Sequence, residues 1–244
     1  MTRVLVTRPE PDAADTAGRV RAIGCEPIVF PLLTMQVTEV RLPAAEGLSG
    51  LIVTSANAIR ALQQRDALRP YLGLPVYAVG DRTAAAAAAA GFADVESADG
   101  DAGDLVALVG ERAKAGTFFY PAAAETARDL PKALAASGLL VIAAEIYAMA
   151  AATRLDPAIA RDLASGEIHA VMVYSRRTAA LFAELTELAL SPERRRALTL
   201  ICLSETVASP LVLHGFPRIV LADFPSEEAM LAATLSFSRG QITS

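Results

Sequence analysis

Histidine and cysteine are almost missing from this sequence. Its 244 residues include two histidines, His169 and His214, and two cysteines, Cys25 and Cys202, which lie far apart and form no Cys-x-x-Cys. A zinc or iron site of the His/Cys type therefore has little raw material. A lone cysteine in or near an apolar run reads as a small buried hydrophobe. Tryptophan is absent and aromatics make up only 5% of the chain, which argues against a stacking-type sugar or amino-acid binder. Basic charge is short too: 22 Lys and Arg against 27 Asp and Glu leave a net −5, where a nucleic-acid binder would carry a basic stripe. The single basic run, Arg194-Arg195-Arg196, follows Ser191-Pro192-Glu193 and reads as a solvated surface in a helix-to-strand connection. No stretch reaches the roughly 18 apolar residues of a membrane span, and the apolar run near Met1 is too short for a signal peptide. The expected location is the cytoplasm, with neither membrane nor nucleic acid as partner. Also missing are Gly-x-Ser-x-Gly, the P-loop, His-Glu-x-x-His and Gly-x-Gly-x-x-Gly. The single glycine of Val79-Gly80-Asp81-Arg82-Thr83 makes no dinucleotide fingerprint.

What is present is a well-packed α/β pattern. Apolar residues make up 53% and charged residues 20%, a folding composition; the mean hydropathy of +0.39 is inflated by alanine, above all residues 84–90. Apolar runs of about four to six residues alternate with amphipathic stretches of about ten to fifteen, which predicts parallel sheets built from βαβ units. The reading places strands at 3–7, 27–32, 51–54, 75–79, 93–96, 117–120, 139–146, 170–174, 199–203 and 218–221. Helices are expected over 12–23, 55–68, 81–90, 103–114, 125–137, 156–165, 176–190, 205–213 and 226–236. Residues 33–40 and 147–153 read as extended.

The first βαβ, residues 1 to about 32, is too small to bury its own core. Joined to the C-terminal block it makes about five strands, and the middle block has about five of its own. The expectation is a discontinuous domain of residues 1–34 plus 152–244 and a second domain of 39–146. Residues 33–40 and 145–153 are then the only connectors between them. Two crossings make a hinge, and a cleft of variable width is expected between the domains.

A repeat runs through the pattern. A strand enters a Ser-led helix at Ser55, and 28 residues later another strand leads to Thr83. The same happens at Ser175 and, 31 residues later, at Thr206, and each second helix closes on Gly-Phe, at Gly91-Phe92 and Gly215-Phe216. Polar groups gather at the strand C-termini, where open α/β sheets place their ligands: Thr7, Arg8, Thr54, Ser55, Asn57, Thr83, Ser175, Thr178, Ser204 and Thr206. Helix capping alone accounts for any one of them. Several such ends, some beside Arg8, Arg82, Arg176 or Arg177, suit a polyanion held by helix N-termini and a few guanidinium groups. Tyr147 stands at the return crossing, either as a packing aromatic or as a functional hydroxyl. Tyr120 and Tyr174 end strands and are candidate walls. Asp81 and Glu205 read as stabilisers of first helical turns.

At this point the sequence resembles the uroporphyrinogen-III synthase family over nearly its whole length. The resemblance runs through Val4-Leu5-Val6-Thr7-Arg8-Pro9, Gly24-Cys25-Glu26-Pro27, Phe30-Pro31-Leu32-Leu33, Thr54-Ser55-Ala56-Asn57-Ala58 and Tyr77 to Ala84, with Gly91-Phe92. It continues in Arg128-Asp129-Leu130 with Leu134, in Tyr147, in Ser175-Arg176-Arg177-Thr178-Ala179 and in Cys202 to Ala208. Each piece is loose alone; their order and spacing are specific. The resemblance implies two flavodoxin-like domains joined by a two-stranded connector, and an enzyme that needs no cofactor and no metal. Its substrate would be hydroxymethylbilane, a linear tetrapyrrole with eight carboxylates. The family closes that chain while inverting its last pyrrole ring, through a spiro intermediate and with loss of water. The bilane closes unaided to the wrong isomer, so catalysis consists largely of holding it in one conformation. By resemblance Tyr147 is the hydrogen-bond donor to the leaving hydroxyl. Thr7, Arg8, Thr54, Ser55, Asn57, Gly80, Arg82, Thr83, Ser175, Arg177, Thr178, Ser204 and Thr206 would hold acetate and propionate arms. A monomer is expected, with hand-over from the preceding pathway enzyme as one route of substrate supply.

Two departures from the family pattern stand out. Ala148 and Met149 follow Tyr147 where the family has a polar residue and a threonine, and Tyr120-Pro121-Ala122-Ala123-Ala124-Glu125 replaces an Arg-Gly type turn. The competing readings are a catalytically inactive tetrapyrrole-binding regulator of the same fold and an unrelated two-domain α/β binder of sugars or amino acids. Tight tetrapyrrole binding without turnover would mark the first. The short apolar start and the lack of tryptophan speak against the second.

Overall fold

In the computed structural model, which describes residues 1–125 and 130–242, the chain separates into two compact units. Unit 1 is Met1–Thr34 with Ala150–Ser244, and unit 2 is Met35–Met149. The part of the family resemblance carried by Arg128-Asp129 lies outside the described residues. In chain order the elements are β1 (Arg3–Val6), α1 (Asp12–Ala22), β2 (Glu26–Val29), β3 (Leu33–Val37), β4 (Gly50–Val53), α2 (Ala56–Gln64) and β5 (Val76–Ala78). Next come α3 (Asp81–Ala89), β6 (Val95–Ser97), α4 (Ala102–Arg112), β7 (Thr117–Ala123), α5 (Leu130–Ala135) and β8 (Leu140–Ala151). The rest are α6 (Pro157–Ser165), β9 (Ala170–Val173), α7 (Arg176–Thr186), α8 (Pro192–Ala197), β10 (Thr199–Cys202), α9 (Glu205–Leu213), β11 (Ile219–Leu221) and α10 (Glu227–Ile242).

Unit 1 is built on the sheet β11-β10-β9-β1-β2, parallel throughout. Counted along the unit this is the doubly wound order 2-1-3-4-5 of flavodoxin-like folds. Strands β9 and β10 are buried at every position because helices cover both faces. Leu5, Val171, Val173 and Leu200 face α7 and α9 through Phe182 and Leu211. Val4, Val6, Met172 and Ile201 face α1 and α10 through Val20 and Met230.

Unit 2 repeats this architecture in a permuted chain order. Its sheet runs β3-β8-β7-β4-β5-β6, parallel from β8 to β6. β4, β5 and β6 stand where β9, β10 and β11 stand in unit 1, and β7 and β8 take the places of β1 and β2. The pair that opens the chain in unit 1 comes last in unit 2. The repeat of Ser55 and Ser175 is thus architectural: both residues follow the strand at which the sheet order reverses. Leu51 and Val53 pack on α2 through Ile59 and Leu62. Ile52 and Phe118 pack on α4 and α5 through Leu105 and Leu134.

The two Gly-Phe pairs end α3 and α9 in the same way. Gly91 and Gly215 have φ of 105° and 81°, which only glycine adopts at low cost. The following N–H groups, of Phe92 and Phe216, reach back to the carbonyls of Ala87 and Leu211 at 3.2 and 3.1 Å. Both phenylalanines are buried, so each motif turns the chain and seals a core.

The extended segments become strands. Thr38 N–H donates to the Ile146 carbonyl, and Ala152 N–H to that of Leu32, each at 2.9 Å. Numbers rise on one strand as they fall on the other, so β3 and β8 run antiparallel. The stretch read as a strand plus an extended tail is one strand, β8. β7 also runs on through Pro121, where the sequence suggested a turn. Its pairing with β4 covers Gly50↔Phe118 and Leu51↔Phe119, so beyond Phe119 that side is open and a missing N–H there breaks no ladder bond. α2 ends at Gln64 instead of continuing to residue 68. Asp66 takes φ 51°, and Ala67 N–H closes back on the Leu62 carbonyl at 2.9 Å, so an aspartate fills the usual glycine role.

The basic run is α8, a short helix where the sequence suggests a connection. Ser191 caps it, accepting from Arg194 N–H at 3.2 Å, and Pro192 opens its first turn. Arg194 and Arg195 are not simply solvated. Arg194 Nε donates to the Leu163 carbonyl at 3.1 Å, and the Arg195 guanidinium donates to the carbonyls of Glu187 and His214. Cys25 and Cys202 are buried, and burial pushes the Cys202 thiol up to about 12, far from thiolate reactivity. Among the described residues no helix is long and apolar enough to cross a membrane.

Candidate functional site

In unit 2 the sheet order reverses between β4 and β7, and the crevice outside such a reversal is where doubly wound sheets bind ligands. Four hydroxyls meet there. Thr54 and Ser55, both half-buried, follow β4 directly. The Thr54 hydroxyl lies 3.3 Å from that of Tyr120 on β7, so this pair bridges the reversal. Ser55 is the N-cap of α2, its oxygen accepting the Asn57 N–H at 3.2 Å, and its hydroxyl neighbours the Tyr147 phenol.

Tyr147 is aimed by an irregularity in β8. Ala122 pairs with Glu145 but Ala123 pairs with Tyr147, so Ile146 is one residue too many. Such a bulge re-aims the side chains that follow it. Ile146 and Tyr147 accordingly pack into the same core on the α2 face, although neighbours on a regular strand alternate. Tyr147 is 4% exposed. Burial raises its phenol above the ordinary 10.0, the Ser55 hydroxyl lowers it part of the way, and nearby Tyr120 raises it again. At neutral pH it therefore holds its proton.

Beside this group, the Asn57 side chain donates to the Met149 sulfur at 3.7 Å and accepts from Arg60 at 2.9 Å. Met149, one of the departures from the family pattern, thus acts as a weak acceptor for the Asn57 amide. One strand further along, α3 starts at Gly80, whose backbone (φ −165°, ψ 169°) matches that of Ser204 at the start of α9 (φ −164°, ψ 169°). Ser204 caps α9 by accepting from Val207 N–H at 3.4 Å, whereas Gly80 leaves the α3 terminus without a side chain, and a Cβ there would meet nothing within 4 Å. Arg82 is exposed in the first turn of α3 and Thr83 is buried beneath it.

The corresponding edge of unit 1, between β1 and β9, is filled by the protein's own charges. Thr7 is fully buried and donates to the Met172 carbonyl at 2.8 Å. Arg8 pairs with Glu227 at 2.5 Å and Asp12 at 3.1 Å, donates to Thr16 at 3.1 Å and lies 4.3 Å above the Tyr174 ring. This uses the guanidinium that the sequence suggested for a substrate carboxylate. Ser175 caps α7, accepting from Thr178 N–H at 3.1 Å with the two hydroxyls 2.8 Å apart, and Thr178 is buried. Arg177 and Thr206 are exposed in the first turns of α7 and α9.

Tyr120 is the residue whose place in this group the sequence conceals. It was a candidate wall, and the structure gives its hydroxyl a partner at the reversal. Its place at the end of the apolar run Phe118-Phe119-Tyr120 was the available signal. Among the described residues no group of three or more His, Cys, Asp or Glu side chains could hold a metal ion.

The family model described as uroporphyrinogen-III synthase HemD matches residues 14–232. Among solved structures, the uroporphyrinogen-III synthetase of Helicobacter pylori is similar with a TM-score of 0.68 and 20% identity, covering 97% of this chain and 99% of its own. A mutant uroporphyrinogen III synthase from Thermus thermophilus is similar with a TM-score of 0.57 and 18% identity, over 100% of both chains. At such identities these likenesses speak for the fold. No curated protein sequence matches. The family match spans far more than half of the chain, from within the first helix of unit 1 through all of unit 2 and back, so it takes in the whole sheet of unit 2, every strand of unit 1 but β1, and the crossings, and by it this chain belongs to the uroporphyrinogen-III synthases.

Proposed function

We propose that this chain closes hydroxymethylbilane to uroporphyrinogen III, inverting the last pyrrole ring and releasing water, with Tyr147 as the proton donor to the departing hydroxyl. The family is a lyase of tetrapyrrole biosynthesis that works without a cofactor. The observation that supports this assignment of Tyr147 is its buried phenol, protonated at neutral pH and placed beside Ser55 where the sheet order reverses. A neutral donor there assists loss of hydroxide as water, leaving a carbon that the substituted position of the last ring can attack. Thr54, Ser55, Asn57, Gly80, Arg82 and Thr83 in unit 2, and Ser175, Arg177, Thr178, Ser204 and Thr206 in unit 1, are proposed to hold the acetate and propionate arms. Thr7 and Arg8 support their edge from within. The enzyme is proposed to act as a cytoplasmic monomer, with hand-over from the preceding pathway enzyme as one route of substrate supply.

The test is the isomer formed. Purified protein given hydroxymethylbilane is expected to yield the type III ring faster than buffer yields type I. Type I alone, at the buffer rate, overturns the assignment, and tight binding with no turnover makes the protein a regulator instead.

Gly80 offers a second test. Gly80→Ser should raise stability by a few tenths of a kcal/mol through a new cap, since the backbone already has the geometry of Ser204. If the bare α3 terminus receives a carboxylate, the same change raises KM several-fold with kcat little altered. An unchanged KM removes Gly80 from the binding set.

A further inference from the structure

Asn57 carries a side chain whose use to a carboxylate depends on which way round it sits. A primary amide donates at nitrogen and accepts at oxygen, and its two ends are nearly alike in shape. Turned toward a carboxylate, the nitrogen binds and the oxygen repels. Asn57 lies half-buried in the first turn of α2, with half-buried Arg60 three residues along, on the same helix face. The Arg60 guanidinium donates to the Asn57 side-chain oxygen at 2.9 Å. A guanidinium has donors and no acceptor, so only the oxygen end of the amide can face it. The other end meets half-buried Met149, whose sulfur lies 3.7 Å from the amide nitrogen and can only accept. Both neighbours therefore ask for the same orientation. The sulfur takes one amide proton, and among the described residues the second has no partner.

We propose that Arg60 is a positioning residue that fixes the polarity of the Asn57 amide, so that an N–H group, not the carbonyl, meets a carboxylate arm of the substrate. The inference rests on the reading of Asn57 as a residue that holds such an arm, and it says what makes it one. Without Arg60 only the Met149 sulfur still selects an orientation, and a thioether is a weak acceptor. The amide then divides its time between two orientations, one of them repelling the arm, and affinity falls with the share of the competent one. The loss belongs to binding. The arm is held alike before and during the reaction, so KM rises while kcat stays. Arg60 itself need not touch the substrate.

A double-mutant cycle with the full-length protein and hydroxymethylbilane separates this role from direct attraction of the substrate by the Arg60 charge. Arg60→Met keeps an unbranched apolar stem and removes the donors. It is expected to raise KM about fivefold or more, a part of what one hydrogen bond to a charged group is worth, with kcat within about twofold. In an Asn57→Ala background the same change should move KM less than about twofold, because no amide is left to orient. An equal rise in both backgrounds makes Arg60 a direct partner of the substrate and overturns the proposal. So does a wild-type KM in Arg60→Met. A fall in kcat together with a lower urea midpoint makes Arg60 a structural residue of α2, which also overturns it.

A readout without substrate tells failure of the bond from failure of the Asn57 reading. The two side-chain amide protons of Asn57, assigned in nitrogen–proton NMR by their loss in Asn57→Ala, should shift in Arg60→Met as the amide loses its anchor. Signals that stay in place sink the Arg60–Asn57 bond, whatever Asn57 does with the substrate. Signals that shift while Asn57→Ala keeps the wild-type KM sink the reading of Asn57 as a carboxylate holder and, with it, the consequence drawn for Arg60.

Discussion

Tyr147→Phe is expected to lower kcat by about 100-fold, at the lower end of what a positioned general acid contributes, with KM nearly unchanged. The ring stays, so the packing of Tyr147 against the α2 face is kept and only the hydroxyl is lost. That matters because Tyr147 is almost wholly buried, and a larger truncation would mix catalysis with stability. The pH profile gives a second check. Burial raises the phenol above 10.0, so the protonated form is the one the fold favours, and that preference is lost only as pH rises past the elevated value. Turnover should therefore show no alkaline fall assignable to Tyr147 below pH 10. A variant with full kcat would make Tyr147 a packing residue, and the donor would have to be sought among Thr54, Ser55 and Tyr120. The product of the slowed variant is informative too. If holding the chain and expelling the hydroxyl are separate tasks, Tyr147→Phe still gives the type III ring, only slowly.

The parts of this molecule that could be read in the sequence are those whose causes are local. A Ser-led helix after an apolar strand announces its own cap, and Ser55, Ser175 and Ser204 all cap the helices they precede. The Gly-Phe ends of α3 and α9 are legible for the same reason, since the turn, the positive φ and the buried ring lie within a few residues. The repeat of Ser55 and Ser175 could be read, but not that it relates permuted units, because strand order is set by pairing across the sheet. The bulge at Ile146 leaves no mark in Glu145-Ile146-Tyr147; it exists only in the register against Ala122 and Ala123. Tyr120 shows little in the sequence because its partner Thr54 is 66 residues away. The pairing of Arg8 is hidden for a related reason. An arginine after a strand C-terminus looks free for a ligand until a carboxylate 219 residues downstream is brought to it.

That long-range pair carries the other large effect expected. Arg8 and Glu227 are mostly buried, with side chains 13% and 19% exposed, and both Glu227 oxygens are used, one by Arg8 at 2.5 Å and one by Thr16 at 2.8 Å. Removing one partner of such a pair leaves the other charge in a poor solvent, with a cost of about 3 kcal/mol or more. Arg8→Ala should therefore destabilise unit 1 by about that amount in urea denaturation, and it also removes the cation above Tyr174. Glu227→Ala should cost a similar amount. The double variant should cost much less than the sum of the two, because neither charge is then left alone. Additive losses, or an Arg8→Ala protein as stable as wild type with a raised KM, would return Arg8 to the substrate. The two units would then share the work of gripping carboxylates more evenly than their edges suggest: in unit 2 hydroxyls line the reversal, while in unit 1 the guanidinium there already has its carboxylates from α1 and α10.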